Sequence, residues 1–206
     1  RSKTIVDLVT PSEKAAAEAR AAYALLAEEI RNPLKAKTEM VQLLRFRQQV
    51  EHAKVPVMVE LAEDAMEDGC SVACFFNFAA PMAEFCERTK RHSPARVFGT
   101  DESGHAQNQK EREAEIARFQ SNSTKLFAGT IAAGGVGLSL EDADGDHPRL
   151  LLTNLPLDTV GLLQVIGRCA RANSKSPTVH RVVLLDDVPV EEKVFRLLNL
   201  KIGNMA

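Results

Sequence analysis

The feature that most constrains this chain is the string from Leu163 to Arg171, which reads LQVIGRCAR. Its polar residues Gln164, Arg168 and Arg171 are spaced i, i+4 and i+7, so a helix would place them along one face. The apolar residues around them fall on the remaining surface and can be buried: Leu162, Val165, Ile166 and Cys169. The string therefore predicts a partly buried helix over 159–171, with Asp158 or Thr159 as its N-cap.

Two arginines in this arrangement suit a polyphosphate ligand. A guanidinium group binds phosphate oxygens in bidentate fashion and stays charged at any physiological pH. The alternative interpretation is a solvated helix face that carries two ordinary arginines, and the string alone leaves both open.

A second informative segment, 127–138, reads FAGTIAAGGVGL. It follows a predicted strand, and Gly134, Gly135 and Gly137 would let backbone N–H groups approach a ligand closely, while Thr130 adds a hydroxyl. Phosphates of a nucleotide or of a strand backbone are held in this way without charge. The alternatives are a tight turn or a dinucleotide site, but the G-x-G-x-x-G pattern is absent because Leu140 takes the place of its last glycine.

Composition limits the other possibilities. The 206 residues are 45% hydrophobic with a net charge of −2, so nucleic acid would have to bind a local patch, and 159–185 contains Lys175 but no acid. No run is long enough to span a bilayer, and no glycine is followed by lysine, which excludes a Walker A loop. The four cysteines lack C-x-x-C pairing and predict reduced core residues of an intracellular protein rather than metal ligands. Because the sequence begins with Arg1 and not with methionine, we expect the chain to be a fragment or a processed product.

Along the chain, helical patterns come first. Helices are predicted over 12–31, 35–52 and 56–69, with no strand among them. Strands are then predicted over 71–78, 95–98, 125–129, 150–153 and 179–185, and helices over 81–90, 107–120, 159–171 and 190–200. This alternation predicts an α/β fold with a parallel sheet covered by helices on both faces.

In this order, the segments resemble the C-terminal RecA-like lobe of superfamily 2 helicases, and within them the SWI/SNF-type translocases. Residues 75–78 resemble motif IV, 130–138 motif V and 164–171 motif VI, and 44–55 resemble the helical lead-in. The resemblance covers about 40–202. It implies a helical lead-in or linker over 1–54, joined to a missing first lobe, and a RecA-like domain over 55–206.

The resemblance also implies residue roles. Arg171 would be the arginine finger at the γ-phosphate, Arg168 would bind phosphate or hold the lobe interface, and Gln164 would sense the bound nucleotide. Gly137 and Ser139 would lie near the nucleotide. The residues implied at the nucleic acid are Asn77, Thr130, Gly134, Gly135 and Lys175.

The function implied is the second motor lobe of an ATP-dependent DNA or RNA helicase or translocase. ATP and Mg²⁺ would be held mainly by the first lobe in the same chain, and the isolated fragment would be inactive. The alternative is a non-catalytic nucleic-acid-binding or assembly domain that has kept the lobe and lost its chemistry.

Overall fold

The structure, a computed structural model, describes residues 3–5, 13, 17, 39–101, 103–133, 138–156, 159–169 and 174–184. Of the predicted helix 12–31, only residues 13 and 17 are described, and both are helical. The predicted closing helix 190–200 lies outside the described residues, as does the end of the predicted helix 159–171.

The centre of the fold is one parallel sheet. Its six strands in the described residues are β1 (Lys3–Ile5), β2 (Ser71–Phe76), β3 (Ala95–Val97), β4 (Leu126–Thr130), β5 (Arg149–Asn154) and β6 (Thr178–Val183). Their order is β1-β6-β5-β2-β4-β3, and every neighbouring pair is parallel. Every residue of β2, β4 and β5 is buried, as expected for strands covered on both faces.

Helices cover both faces of the sheet. The described residues include the α-helices α1 (Glu39–Glu67), α2 (Ala79–Arg88), α3 (Gln109–Gln120) and α4 (Thr159–Cys169), and a short 3-10 helix, Lys90–His92, follows α2. One core lies between the sheet and α1 with α2, and it includes Met58 and Phe85. The other face packs against α3 through Phe119 and against α4 through Val165 and Cys169. The predicted α/β architecture is therefore confirmed.

The prediction that no strand precedes residue 70 was wrong. Lys3–Ile5 forms β1, which pairs with β6 from Val179 to Arg181 and extends the sheet at that edge. Three residues are too short to produce a detectable alternation of apolar and polar side chains. The strand is defined by its partner rather than by a local pattern.

The predicted break before Pro56 was also wrong, because α1 runs through that residue without interruption. An interior proline removes one helix hydrogen bond and costs about 3 kcal/mol. However, Val57 and Met58 beside it are fully buried, and each is worth about 1.5–3 kcal/mol relative to exposure. Burial of the two residues that follow the proline thus offsets its cost.

Candidate functional site

A cleft of about 270 Å³ opens at the carboxyl ends of the central strands. Its lining comes from the residues that follow β2, β4 and β5 and from the first turns of α4: Asn77, Ile131, Ala132, Pro156, Val160, Gly161 and Gln164. The chain leaves β2 toward the face covered by α2, whereas it leaves β5 toward the face covered by α4. Such divergence of neighbouring connections creates the crevice in which open α/β sheets bind ligands.

Asn77 is fixed at this cleft by groups from two other elements. Its backbone N–H donates to both carboxylate oxygens of Glu51, at 3.0 and 3.1 Å. Its side-chain Nδ2 donates to Glu51 Oε1 and to the carbonyl oxygen of Leu155, the latter at 3.0 Å. The side chain that the sequence placed near nucleic acid is therefore held in a single orientation.

Helix α4 has the two-sided character that its sequence predicted. Leu162, Val165 and Cys169 are buried, whereas Gln164 is exposed and Arg168 is half-buried. The helix also exposes Val160 and Leu163, with 59% and 41% of their surface accessible. Arg171, the predicted arginine finger, lies outside the described residues.

The predicted nucleotide residues Ser139 and Arg168 lie close together near the end of α4. The backbone N–H of Leu140 donates to the carbonyl oxygen of Arg168 at 3.0 Å, which joins the segment after motif V to the last turn of α4. The Ser139 hydroxyl donates to Glu141 at 2.6 Å, and its carbonyl accepts from Gln120 at 2.7 Å. Gly137 lies outside the described residues.

The residues predicted at nucleic acid divide into three groups. Thr130 is the last residue of β4 and is buried beside the cleft. The backbone N–H of the following residue, Ile131, donates to the carbonyl oxygen of Phe76 at 2.8 Å. Gly134 and Gly135 lie outside the described residues. Lys175 is exposed, but it precedes β6 and donates its backbone N–H to Asp142, so it lies at the amino-terminal edge of the sheet. The structure therefore brings Asn77 and Thr130 together and places Lys175 at the opposite edge.

The sequence interpretation missed three polar side chains of α1 that meet the carboxyl ends of the strands. Arg47 donates to the carbonyl oxygens of Leu155 and Pro156 at 3.3 and 3.2 Å, and Lys54 donates to that of Val183 at 3.2 Å. Glu51 lies between them on the same face. The available signal was the i, i+4, i+7 spacing of these charges, although the same spacing is common on solvated helices.

Burial affects the titration of this group of residues. Glu51 is 3% exposed, and loss of water raises its pKa above the usual value, although hydrogen bonds from Asn77 and Phe78 and the charge of Lys54 act in the opposite direction. Elsewhere, burial raises the pKa of the Cys86 and Cys169 thiols to about 12. These two cysteines and Cys74 are free and buried, as predicted for core cysteines, whereas Cys70 is free and only half-buried.

The fit of ATP and Mg²⁺ is limited by what the described residues provide. In those parts of the chain, no group of three or more His, Cys, Asp or Glu side chains could hold a metal ion. Arg168 carries a guanidinium group of the kind that binds phosphate, and its backbone carbonyl oxygen accepts from Leu140, the residue after Ser139. None of the helices formed by the described residues has an apolar stretch of the length that a bilayer span requires.

A larger hollow, of about 910 Å³, lies beside the edge strand β3. Side chains already bond to the backbone groups at the free edge of that strand. The Gln107 amide accepts from the backbone N–H of Phe98 and donates to the carbonyl oxygen of Arg96, and the Glu115 carboxylate accepts from the backbone N–H of Arg96. None of the predicted site residues lines this hollow. The cleft at the strand ends is therefore the candidate site.

This chain is similar in sequence to a family of known proteins. Residues 53–173 match the family described as helicase conserved C-terminal domain. Over 189 residues, 90% of this chain, the sequence is 33% identical to the protein named "Putative ATP-dependent RNA helicase L364" of Acanthamoeba polyphaga mimivirus. The chain spans about a third of the length of that relative, 34%.

Two solved structures share the fold. The C-terminal part of the Fun30 ATPase domain has a TM-score of 0.56 and 13% identity, covering 87% of this chain and 53% of that one. The C-terminal domain of the DEAD-box protein Dbp5 has a TM-score of 0.52 and 16% identity, covering 73% and 79% respectively. At these identities the similarity establishes the fold alone.

Proposed function

Because this chain belongs to the helicase conserved C-terminal domain family, we propose that it is the second motor lobe of a longer ATP-dependent helicase or translocase. The RecA-like fold predicted from the sequence agrees with the solved relatives. The observation that carries the proposal is the position of α4, whose outward residues Gln164 and Arg168 connect the cleft with the segment around Ser139. The SWI/SNF-type subclass is part of the proposal.

The nucleotide is assigned to the far end of α4. The backbone of Arg168 accepts there from Leu140, the residue after Ser139, and Arg171 follows less than one helical turn after Arg168 in the sequence. In this proposal Arg168 binds phosphate, Arg171 contacts the γ-phosphate and Gly137 lies close to the nucleotide. Mg²⁺ would be held mainly by the first lobe, and its charge would there neutralise that of the phosphates. An arginine that meets the γ-phosphate during its transfer is worth about 10³–10⁵ in rate.

The first lobe is assigned to the outer surface of α4. Val160, Leu163 and Gln164 are exposed there, and their i, i+3, i+4 spacing places them on one side of the helix. We assign the contact to this surface because exposed apolar patches rimmed by polar residues mark interaction sites on proteins. Closure of the two lobes would cover these residues and bring Arg171 to the nucleotide.

The nucleic acid is assigned to the carboxyl edge of the sheet. Thr130, Gly134 and Gly135 would contact the backbone of the strand, and Asn77 would meet it at the cleft. Lys175, at the opposite edge of the sheet, would attract the phosphates of the nucleic acid from a distance. Backbone contacts carry no sequence information, so binding should be blind to sequence. The name of the mimiviral relative supports RNA over DNA as the strand.

The test is the nucleic-acid-stimulated ATPase of the full-length protein. Replacing Arg171 by Ala should lower kcat by at least about 10²-fold with little change in nucleotide affinity, because the contact forms mainly in the transition state. Arg171→Lys should rescue poorly, because an ammonium group cannot reproduce the planar fork of a guanidinium. Arg91→Ala, at an exposed arginine paired with Glu63, is the matched control and should keep full activity. Near-normal kcat in Arg171→Ala would instead favour a non-catalytic module.

A further inference from the structure

The hollow beside β3 is separate from the cleft at the strand ends. Residues of α2 line one side of it and residues of α3 the other, and β3 and the loop after it supply the rest. None of its lining residues also lines the cleft. Its volume of about 910 Å³ is at the upper end of the range for ligand sites. The hollow therefore needs an explanation of its own.

The hollow combines an apolar floor with small side chains on its walls. Met82, Cys86 and Phe98 line it and are otherwise buried, at 3%, 5% and 9% exposed. Ala83 of α2 and Ala114 of α3 also line it, and both are exposed. Because these alanines leave the space between the helices open, a large apolar side chain from outside can reach the floor.

The edge of β3 limits how an occupant can bind. The backbone N–H groups of Arg96 and Phe98 already donate to Glu115 and Gln107, at 2.8 and 2.9 Å, and the carbonyl oxygen of Arg96 accepts from Gln107 at 2.8 Å. A segment that paired with this edge as an added strand would need the same backbone groups. An occupant must therefore bind through its side chains.

Most of the charged side chains at the hollow already have a partner. The ion pairs are Lys90–Glu87 at 2.6 Å, Arg118–Glu115 at 2.9 Å and His105–Glu111 at 3.6 Å. Asp101 accepts hydrogen bonds within its own loop, from Ser103 and His105. Arg96 is exposed, and its guanidinium group has neither a hydrogen bond nor an ion pair with any described residue. It is the charge that remains for an occupant.

The surrounding charges indicate how much negative charge that occupant carries. Four acidic residues line the hollow: Glu87, Asp101, Glu111 and Glu115. They would repel a polyanion such as a nucleic acid strand, because like charges brought together at an interface are unfavourable. A single carboxylate can instead pair with Arg96 in bidentate fashion. The lining thus favours one acidic group beside apolar surface.

We propose that the hollow between α2 and α3 docks a short segment of another protein, in which an Asp or Glu side chain pairs with Arg96 and a nearby large apolar side chain lies over Met82 and Phe98. The docking is independent of the motor function proposed above, because it needs neither nucleotide nor nucleic acid. A contact through a few side chains is typical of transient complexes, so we expect binding in the micromolar range.

The first experiment selects peptides from a displayed library of random short sequences on the full-length protein. Ala114→Trp serves for counter-selection, because an indole at this exposed position of α3 would fill the hollow. The enriched peptides should share an acidic residue within a few positions of a large apolar one. Replacing that acid by its amide should weaken binding about 3- to 10-fold in fluorescence anisotropy, the effect of losing one charge-assisted hydrogen bond. Failure to enrich any peptide, or affinities that do not depend on the acid, would overturn the proposal.

The second experiment assigns the acid to Arg96. Arg96→Gln should weaken binding of the acidic peptide by the same factor and leave its amide version unchanged, so that the two bind equally. Arg91→Gln is the matched control, because Arg91 is also exposed but pairs with Glu63 outside the hollow, and it should preserve the difference. A difference that survives in Arg96→Gln contradicts the pairing. If that variant instead weakens binding of RNA or DNA, the occupant is the strand and the proposal is wrong.

The third experiment tests the location from the opposite wall. Ala83→Trp on α2 should abolish peptide binding, as Ala114→Trp does from α3. Ala117→Trp, at an exposed residue of α3 that does not line the hollow, should bind the peptide with unchanged affinity. Circular dichroism of the three variants checks that each is folded. Equal binding by Ala83→Trp and Ala117→Trp would place the peptide elsewhere on the protein.

Discussion

Helices α1 and α4 cover opposite faces of the same sheet and distribute their polar side chains in opposite ways. On α1, Glu51 and Lys54 are 3% and 1% exposed and bond to the ends of the strands. On α4, the apolar residues Val160 and Leu163 are exposed, at 59% and 41%. One helix buries charge, and the other presents apolar surface to its surroundings.

This difference separates the requirements of the fold from those of function. A buried charge is costly unless it is paired, so α1 must keep its hydrogen bonds to the strand ends and cannot move independently of them. Exposed apolar side chains on α4 have no such commitment within the described residues. The cleft lies where the two patterns meet, with Asn77 fixed through α1 and Gln164 presented by α4.

The largest expected effect is the loss of a buried charge from α1. Replacing Glu51 by Ala leaves the backbone N–H groups of Asn77 and Phe78 without their carboxylate acceptor. A donor left without its partner away from water typically costs about 1–3 kcal/mol, so for these two groups we expect a loss of about 2–6 kcal/mol in urea unfolding of the 206-residue chain. The exposed Glu87→Ala should change stability by less than about 0.5 kcal/mol. A similar small effect for both variants would show that α1 is not committed as described.

How far the sequence anticipated this arrangement depends on how local each signal is. The buried strands β2, β4 and β5 and the inward face of α4 were predicted within a few residues, since long apolar runs and helical spacing are local patterns. The strand β1 was missed because only its pairing with β6 defines it. The role of Glu51 was missed for a similar reason, because its partners lie 26 and 27 residues away in the chain.

The second prediction compares two neighbouring leucines of α4. Leu162 is 4% exposed, and its truncation to Ala should cost about 2–5 kcal/mol, from lost burial and the cavity left behind. Leu163 is 41% exposed, so Leu163→Ala should cost much less in the 206-residue chain. Urea unfolding of both variants measures the difference. In the full-length protein Leu163→Ala should instead weaken ATPase activity, because its side chain belongs to the surface assigned to the first lobe. Equal losses of stability would mean that both leucines are buried within this chain.

A third, smaller effect concerns pH and the face of the sheet under α4. His180 is 2% exposed, neither ring nitrogen has a hydrogen-bond partner among the described residues, and burial lowers its pKa below 6.5. As pH falls below 6.5, the unfolded chain takes up a proton that the folded chain does not, so the free energy of unfolding should decrease until the folded pKa is reached. His180→Leu should reduce this acid sensitivity, whereas the exposed His105→Leu should retain it. An unchanged pH profile in His180→Leu would show that the imidazole is not buried in its neutral form.

The smallest expected effect belongs to Lys175, beyond the far end of α4. Asn77 follows β2 at the carboxyl edge, whereas Lys175 precedes β6 at the amino edge, and a strand of six residues such as β6 spans about 20 Å. That distance exceeds the screening length of about 8 Å at physiological salt, so Lys175 would attract phosphates only weakly from there. Lys175→Ala should reduce nucleic-acid affinity by about twofold or less, equally for unrelated sequences, and the difference should vanish as salt is raised. Fluorescence anisotropy with one labelled strand over a salt series measures this. A loss of tenfold or more would mean that the strand reaches the amino edge, and the division between a cleft for the strand and a far end of α4 for the nucleotide would then have to be redrawn.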